Sequence, residues 1–466
     1  MAQPSVSLVK VHDKNSNGPV EQALYEVRKA IHPRAVRGWF AAWRWALVWA
    51  TQLVFYGLAW LPWNSRQAVL FDIAHRKFYI FGLVFWPQDI VYLTVLLILA
   101  ALSLFLFTAV AGRLWCGYAC PQTVYTEIFL WIEKMIEGDR NARIRLDQAG
   151  ASARKFLLKA QKHGIWAALA LWTGFTFVGY FTPIRELWSE ALRLETGPWE
   201  TFWVLFYGFA TYGNAGWMRE QVCTYMCPYA RFQSAMFDKD TLIITYDAAR
   251  GEPRAKLSAK GEGFGDCVDC SICVQVCPTG IDIRDGLQYQ CIGCAACIDG
   301  CDQVMERVGK PKGLIRYSTT HAIEGVKTRI LRPRVLVYGA ILCAIALAAG
   351  ASLFLRVPLK VDVIRDRAAI AREVEGGRIE NVYRLQIMNT TEHARDYEIS
   401  ASGLPSLELA GEPRVQVGAA DGRLVLVRLR ADPGQAGAGT HDIRFRIRAL
   451  DDERVAVQEK SVFIVR

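Results

Sequence analysis

Several motifs that mark common redox cofactors are missing from this 466-residue sequence. It has no Cys-x-x-Cys-His motif for covalent haem attachment. None of its seven histidines lies deep in a long apolar stretch, where the axial ligands of a membrane haem would be expected. No Gly-x-Gly-x-x-Gly follows a predicted strand. These absences exclude haem and argue against a built-in nicotinamide or flavin site.

Cysteine is also absent from residues 356–466, whereas the part up to Leu355 contains all thirteen. No cleavable signal peptide is visible in the polar N-terminal segment, residues 1–38. Disulfide frameworks are typical of small secreted chains. The uneven distribution therefore predicts reduced thiols on one side of a membrane and a cysteine-free C-terminal domain on the other.

Eight of the cysteines form two runs with the spacing of a bacterial ferredoxin that binds two [4Fe-4S] clusters. In that arrangement the fourth cysteine of each run ligates the cluster of the other run. The predicted ligands are Cys267, Cys270, Cys273 and Cys301 for the first cluster, and Cys291, Cys294, Cys297 and Cys277 for the second. Zinc sites or disulfides are the alternatives, but zinc usually takes its ligands from two well-separated pairs.

The rest of the sequence is unusually apolar and aromatic, with 52% hydrophobic residues, 15 Trp and 22 Phe. This composition predicts a membrane protein. Five apolar stretches are long enough, or nearly so, to be transmembrane helices. They are Trp45 to Trp63, Ile90 to Ala111, Ile165 to Phe181, Phe202 to Trp217 and Val335 to Leu355.

Lysine and arginine are concentrated in alternate segments between these stretches. Residues 1–40 hold six, Gly112 to Gly164 holds nine, and Asn214 to Arg334 holds sixteen. The intervening segments, Pro62 to Asp89 and Thr182 to Pro198, hold three and two. Cationic loops resist translocation, so the N-terminus and the ferredoxin are predicted to be cytoplasmic and the C-terminal part external. The net charge of +10 reflects this topology and predicts no nucleic-acid partner.

The C-terminal part has the pattern of β-structure. Tyr383, Leu385 and Ile387 alternate with polar residues, and the same two-residue period recurs around Leu426 and Phe445. Turn signals separate these segments. About 110 residues of short strands predict a small sandwich of the immunoglobulin type.

Four more cysteines form a repeated motif, Cys-x-Tyr-x-Cys-Pro, at Cys116 to Pro121 and at Cys223 to Pro228. Each copy follows an even-numbered span and precedes an amphipathic segment. Proline is favoured at the first helical position, so Cys120 and Cys227 are expected near helix N-caps, where the helix dipole would lower the thiol pKa. Paired soft thiolates suit copper(I). Zinc, a redox-active disulfide and simple packing remain alternatives. The thirteenth cysteine, Cys343, lies alone in the fifth apolar stretch.

Two further features are harder to interpret from sequence. Residues 71–89 are apolar and aromatic but too interrupted to span a membrane, which predicts an interfacial or re-entrant loop. Arg44, at the edge of the first span, is expected to extend its guanidinium to the membrane interface.

Taken with these features, the sequence resembles the cytochrome c oxidase accessory proteins of the FixG/CcoG family over nearly its whole length. The resemblance rests on both Cys-Pro motifs and the cysteine runs, and on three further segments: Phe85-Trp86-Pro87-Gln88-Asp89, Asp247 to Arg254, and Gly313-Leu314-Ile315-Arg316-Tyr317. One departure from the plain ferredoxin pattern is Asp302, where proline often follows the last cysteine.

The resemblance implies a bacterial inner-membrane protein that reduces copper(II) to copper(I) for the copper centre of a cbb3-type oxidase. Its cofactors would be two [4Fe-4S] clusters, with copper held by Cys116, Cys120, Cys223 and Cys227. Its partners would be the oxidase assembly machinery, copper-delivery proteins, membrane lipid and an unidentified electron donor; a homodimer is compatible with the sequence. An electron relay and a non-enzymatic assembly factor are the alternatives.

The fold expected is a multi-domain membrane protein made of a five-helix transmembrane domain, a ferredoxin-like α+β domain and an all-β immunoglobulin-like sandwich. The predicted boundaries are 1–40 for a cytoplasmic N-terminal segment, 41–235 for a four-helix membrane domain, 236–334 for the ferredoxin domain, 335–355 for the fifth transmembrane helix and 356–466 for the periplasmic sandwich.

Overall fold

The computed structural model describes residues 8–12, 19–23, 31–256, 263–366 and 371–465 of the chain. Much of the predicted N-terminal segment therefore lies outside the described residues. The helices, in chain order, are α1 (Trp39–Trp60), α2 (Ile90–Ala111), α3 (Leu114–Tyr118), α4 (Pro121–Glu137), α5 (Arg140–Gln148), α6 (Ala153–Val178), α7 (Ile184–Arg193), α8 (Pro198–Tyr212), α9 (Pro228–Met236), α10 (Ala248–Gly251), α11 (Ile272–Gln275), α12 (Ala296–Arg307), α13 (Thr320–Ile323), α14 (Pro333–Phe354) and α15 (Pro433–Ala436).

The strands are shorter and most of them belong to the C-terminal third. In chain order they are β1 (Leu8–His12), β2 (Pro19–Ala23), β3 (Pro62–Trp63), β4 (Arg66–Gln67), β5 (Val69–Asp72), β6 (Lys77–Ile80), β7 (Leu83–Phe85), β8 (Ile243–Tyr246), β9 (Ile315–Ser318), β10 (Leu359–Arg365), β11 (Arg372–Val374), β12 (Arg378–Asn389), β13 (Arg395–Ser402), β14 (Glu408–Ala410), β15 (Arg414–Val417), β16 (Gly422–Ala431), β17 (Gly439–Ala449) and β18 (Ala456–Val465).

Each predicted transmembrane stretch coincides with a helix, namely α1, α2, α6, α8 and α14. In the described part of the chain, two helical segments are long and apolar enough to cross a membrane, Pro87–Ala111 and Pro333–Phe354. These two pack side by side, and the Tyr92 hydroxyl lies 2.9 Å from the Ser352 hydroxyl. The other three fall short because α8 has only 15 residues and because polar side chains, such as Arg44 in α1 and Lys162 in α6, lower the hydropathy of the other two. A five-helix transmembrane domain is thus a proposal, whereas two membrane-length helices are observed.

Residues 71–89, predicted as an interfacial or re-entrant loop, contain regular strands. Strands β5, β6 and β7 form an antiparallel sheet of three strands. Its apolar side chains, including Tyr79 and Trp86, are buried together with Met388 of the C-terminal domain. The sequence did not predict this sheet, because its aromatic residues are covered by a part of the chain that is distant in sequence.

Asp89 fixes the junction between this small sheet and the C-terminal domain. Its side chain is only 3% exposed and is paired with Arg356, at 2.9 Å, and with Lys360. The same carboxylate accepts a hydrogen bond from the backbone N–H of Trp86, at 3.0 Å. A buried carboxylate needs such compensation, so Asp89 holds the start of α2 against the chain that leaves α14.

The cysteine runs lie in a small α+β domain, as predicted. Strands β8 and β9 pair antiparallel and bring the two ends of the domain together. Helix α12 packs against α11 and β9 around a core that includes Met305, Leu314 and Ile315. The fold of this domain therefore closes around the cysteines rather than around a large apolar core.

The C-terminal domain is a sandwich of two antiparallel sheets. One has the strand order β10-β12-β16-β14, with β11 also paired to β12, and the other has the order β15-β13-β17-β18. Tyr383, Leu385 and Ile387 of β12 face Ile443, Phe445 and Ile447 of β17 across the core, and all six are fully buried. The predicted alternation of inward apolar and outward polar residues is confirmed.

Candidate functional site

The first predicted set of ligands surrounds one cavity. Cys267, Cys270, Cys273 and Cys301 all line a space of about 310 Å³ whose other walls are mainly apolar, among them Met305 and Leu314. Cys301 comes from α12, whereas the other three belong to the first run. The domain thus brings together cysteines from both runs.

The second set surrounds a neighbouring cavity of similar size, about 330 Å³. Cys277, Cys291, Cys294 and Cys297 line it, and Cys273 lies in the wall between the two cavities. Four thiols around each buried, apolar space fit the four-thiolate ligation of a [4Fe-4S] cluster. The assignment of individual ligands stays a prediction.

Both runs use the same backbone device to turn their cysteines inward. Asp269 and Ser271 in the first run have φ of 47° and 54°, and the equivalent Gly293 and Ala295 in the second run have φ of 68° and 59°. Left-handed conformations at non-glycine residues cost roughly 1 kcal/mol each. The sequence signals this geometry only at Gly293, so the other three positions could not be predicted from residue type.

Burial dominates the titration of these thiols. It raises the pKa of Cys273 to about 11 and those of Cys291 and Cys301 to about 12, and it raises the pKa of Cys294. Without metal, these four thiols are therefore protonated at neutral pH. Since iron is bound by thiolates, cluster insertion must release protons.

The ligand assignment predicts the iron content of the protein and of its single variants. The intact protein should contain about eight iron and eight sulfide per chain. Serine at Cys270 or at Cys294 should remove roughly half of the iron, because each change deprives one cluster of one thiolate. Iron and sulfide analysis after anaerobic purification checks this, and about two iron per chain or stoichiometric zinc would contradict it.

The Cys-Pro motifs begin two helices. Cys120 is the N-cap residue of α4 and Cys227 is the N-cap residue of α9, with Pro121 and Pro228 at the first helical position. The predicted placement at helix starts is confirmed. The two copies differ before the proline, because Cys116 lies in α3 whereas Cys223 lies in a π-helical turn from Val222 to Met226.

The two motifs converge although they are far apart in sequence. The charge of a Cys223 thiolate would interact with Cys120, Cys116 and Cys227, and that of Cys116 with Cys120 and Cys227. Gln233 of α9 lies 3.5 Å from the sulfur of Cys116 in the other motif. The fold therefore assembles the four predicted copper ligands at one place.

The predicted lowering of the thiol pKa at the helix start is wrong for Cys120. Burial raises the pKa of Cys116 to about 11 and that of Cys223 to about 12, and it raises the pKa of Cys120 as well. Backbone N–H groups of Gln122 and Thr123 favour the Cys120 thiolate, as expected at an N-cap, but desolvation is the larger effect.

The converging motifs also rest on the second cysteine run. Cys116 and Cys223 pack against an apolar group that includes Ile292, Cys294 and Cys297. The first motif and the second cysteine run come very close together at Gly117, since a methyl group added there would lie 2.7 Å from the Cα of Cys294. The candidate copper ligands and the second candidate cluster site are therefore in direct van der Waals contact.

Arg113 lies between the two sets of thiols. Its buried guanidinium donates hydrogen bonds to the carbonyl oxygens of Tyr289 and Cys291 in the ferredoxin domain and to that of Ala230 in α9. It also interacts electrostatically with Cys116, Cys223, Cys227 and Cys291. This cation joins α9 to the second run and stabilises negative charge in either site.

A second contact joins the ferredoxin domain to α1. Arg44 is buried, not extended to the membrane interface as predicted, and donates a hydrogen bond of 2.7 Å to the carbonyl oxygen of Cys294. The carboxylate of Asp299 accepts from the backbone N–H groups of Phe40 and Ala41, at 3.2 and 2.7 Å. The sequence prediction for Arg44 fails because the carbonyl oxygen of Cys294 is within hydrogen-bond distance of the guanidinium, so the side chain has no need to extend to the membrane interface.

Within the described ranges, no three His, Cys, Asp or Glu side chains are already gathered around the position of a single ion. A four-iron cluster holds its thiolates farther apart than one ion does. A mononuclear copper site at the Cys-Pro motifs would require the four side chains to draw inward.

Three protein-family models match segments of the chain. Residues 93–137 match a model described as a 4Fe-4S binding domain, and residues 218–320 match a 4Fe-4S dicluster domain. Residues 349–466 match the immunoglobulin-like fold at the C-terminus of FixG. The two iron-sulfur matches include the two Cys-Pro motifs as well as both cysteine runs.

Individual relatives match most of the chain. Nitrogen fixation protein FixG of Rhizobium meliloti is 38% identical over 456 residues, covering 89% of this chain and 86% of the relative. Protein RdxA of Cereibacter sphaeroides is 39% identical over 455 residues, covering 93% and 96%. A solved structure of a FixG-related protein from Vibrio parahaemolyticus is 26% identical and covers 23% of this chain and 97% of that one, with a TM-score of 0.21.

Proposed function

Because the chain belongs to the FixG family of iron-sulfur proteins, we propose that it reduces copper(II) to copper(I) for assembly of the copper centre of a cbb3-type cytochrome c oxidase. Its 4Fe-4S domains make it an electron-transfer protein. The proposal adds the acceptor, copper(II), and the purpose, delivery of copper(I) to the oxidase. Oxidase assembly factors and copper-delivery proteins would then be its partners.

One observation supports copper as the acceptor. The four Cys-Pro cysteines meet at one place, and two of them pack against a buried group that includes Ile292 and Cys294. Soft thiolates favour copper(I) over copper(II), so binding there raises the tendency of copper to accept an electron. Contact with the second cluster site shortens the route for that electron.

The residues of the chain can be given distinct tasks in this reaction. The two cysteine runs would hold the clusters, which supply single electrons when bound. Cys116, Cys120, Cys223 and Cys227 bind the metal, and the protons of these buried thiols leave as copper arrives. Arg113 limits the accumulation of negative charge when several thiolates form beside one another.

The same proposal includes a location. The chain would cross the bacterial inner membrane five times, through α1, α2, α6, α8 and α14, with the ferredoxin domain in the cytoplasm and the sandwich in the periplasm. Two of these helices have the length and composition of spans. The basic segments of the sequence lie at the ends that this orientation assigns to the cytoplasm.

Reporter fusions test the orientation directly. A reporter that is active only in the periplasm should be active when fused after Leu355 and silent when fused near Gly313, because positive loops stay in the cytoplasm. Comparable amounts of both fusion proteins on immunoblots serve as the control. The opposite pattern would invert the proposed topology.

The copper reaction is tested with the anaerobically purified protein. Its clusters are reduced chemically, excess reductant is removed, and copper(II) is added together with a copper(I) chelator. The expected result is one copper(I)–chelator complex for each electron lost from the clusters, as followed by their absorbance. If the clusters keep their electrons in the presence of copper(II), the chain is better described as a relay to another redox protein or as a non-enzymatic assembly factor.

A further inference from the structure

A large cavity lies where α1, α4 and the ferredoxin domain meet. Its volume is about 1450 Å³, its open mouth included. Residues 33–45 form one wall, α4 forms another, and residues 276–279 and 292–296 close the inner end. This cavity is more than four times as large as either candidate cluster cavity, and of the four proposed copper ligands it is lined by Cys223 alone.

The inner end of this cavity is separated from the second cluster site by a single layer of protein. Thr279, Ile292, Cys294 and Ala296 line both spaces. A molecule at the inner end could therefore exchange electrons with the second cluster through the residues that hold it. Cavities that merely result from loose packing have no reason to share a wall with a redox centre.

Arg44 and Glu127 provide hydrogen-bonding groups at this end. The Arg44 side chain is only 8% exposed, yet its Nε has no hydrogen-bond partner among the described residues. One of its terminal nitrogens lies 3.8 Å from a carboxylate oxygen of Glu127, too far for a hydrogen bond. Since a buried donor without a partner is costly, both groups favour a ligand that offers an acceptor to Arg44 and a donor to Glu127.

Two tryptophan side chains, one from α1 and one from α4, also line the cavity. Trp45 and Trp131 stand edge to face, with their ring centroids 6.1 Å apart, and Trp131 is 48% exposed. Trp39 and Trp43 are exposed on the same helix as Trp45. Such aromatic residues are enriched where a helix passes through the membrane interface, so a flat apolar ring could enter from the bilayer.

The charge of the lining argues against copper as the occupant. Six of the lining residues are arginine or lysine, and three are aspartate or glutamate. A net positive lining disfavours a divalent cation. A neutral ring with polar oxygens is compatible with it.

We infer that this cavity binds a membrane quinol and passes its electrons to the clusters, with Arg44 donating a hydrogen bond to one quinol oxygen and Glu127 accepting a proton from the other. The inference deepens the proposed function by naming the class of electron donor. It depends on the proposed electron transfer through the clusters, but it does not depend on copper as the acceptor.

The reaction balances without another reagent. Oxidation breaks both O–H bonds of the quinol and leaves the quinone. Two electrons leave, one for each cluster, since a [4Fe-4S] cluster accepts them singly. One proton goes to the Glu127 carboxylate and the other to water at the open mouth. Each quinol could then reduce two copper(II) ions.

The test uses duroquinone, a tetramethyl benzoquinone, on the full-length protein without copper. Equilibrium dialysis of the oxidised protein should show about one bound quinone per chain, and duroquinone should reoxidise chemically reduced clusters. Arg44→Gln should weaken duroquinone binding and slow reoxidation by about tenfold or more, because it removes a buried, charge-assisted donor to a quinone oxygen. Glu127→Gln should leave duroquinone binding nearly unchanged but slow reoxidation, because the carboxylate that exchanges a proton with the quinol oxygen is lost. Trp49→Leu, on the same helix but outside the cavity, is the matched control and should change neither.

The outcomes separate this inference from the copper proposal. Absent binding, or binding that Arg44→Gln does not weaken together with reoxidation that Glu127→Gln does not slow, would overturn the quinol site and favour a water-soluble donor. If Arg44→Gln loses iron, its contact with Cys294 is structural and Glu127→Gln alone decides. A wild-type protein that exchanges electrons with duroquinone but not with copper(II) would refute the copper proposal and support the quinol site.

Discussion

Replacing Cys120 and Cys227 together by serine is expected to abolish electron transfer from the reduced clusters to copper(II). The two residues begin α4 and α9, and the double change removes one thiolate from each motif. Oxygen is a harder ligand than sulfur and holds copper(I) poorly. Cluster absorbance should stay nearly unchanged, because neither residue lines a cluster cavity. The measurement is copper(I) formation in a chelator assay after chemical reduction of the clusters.

Cys343→Ser is the matched control for this double variant. Cys343 is an exposed thiol in α14, away from both motifs, so its loss should leave copper reduction at the wild-type rate. Wild-type copper reduction and copper(I) affinity in the double variant would make the motifs structural. Loss of the clusters would instead show that the motifs are needed for folding of the ferredoxin domain.

Threonine at Gly117 is expected to uncouple the Cys-Pro site from the second cluster while leaving both in place. Any side chain there meets the backbone of Cys294, which cannot move as a flexible side chain would. Overpacking of this kind costs about 1–3 kcal/mol, which corresponds to roughly a tenfold to hundredfold smaller population of the docked arrangement. Single-turnover reoxidation of reduced clusters by copper(II) should slow accordingly, with the iron content retained.

The repeat itself supplies the control for Gly117→Thr. Threonine is the natural residue at the equivalent position of the second motif, Thr224, so the substitution suits a Cys-x-Tyr-x-Cys-Pro sequence as such. Thr224→Ala removes only a side-chain hydrogen bond to the carbonyl oxygen of Glu220, at 2.8 Å, and should have a small effect. If both variants slow the reoxidation of the clusters equally, the reaction depends on the motif itself and not on its contact with Cys294.

Much of the fold could be predicted because its signals are local. The two-residue period around Leu385 and Phe445 identified strands whose inward residues are fully buried. The spacing of the cysteine runs identified the ferredoxin domain, and Pro121 and Pro228 identified two helix starts. Each of these signals is confined to a short segment, the range over which a backbone period or a ligand spacing acts.

What could not be predicted depends on contacts between distant parts of the chain. Arg44 bonds the carbonyl of Cys294 in another domain, and Trp86 is buried with Met388. The local sequence pattern around Arg44 or around Trp86 contains no information about which distant residue it contacts. The helix-start position of Cys120 predicts a lowered thiol pKa, but burial raises it. That burial arises only when the helices around the Cys-Pro motifs pack against the ferredoxin domain, and no short segment of sequence contains this information.

The ion pairs of Asp89 have a mechanical consequence. Helix α2 begins at the residue after Asp89 and ends just before Arg113, and its 22 residues form a continuous rod about 33 Å long. One end is clamped to the sandwich through Arg356 and Lys360, and the other leads directly into the thiol site. Because α2 is continuous, a displacement of the sandwich would be transmitted along the helix to Arg113 and Cys116. Binding of another molecule to the sandwich would then change the position of residues in the thiol site.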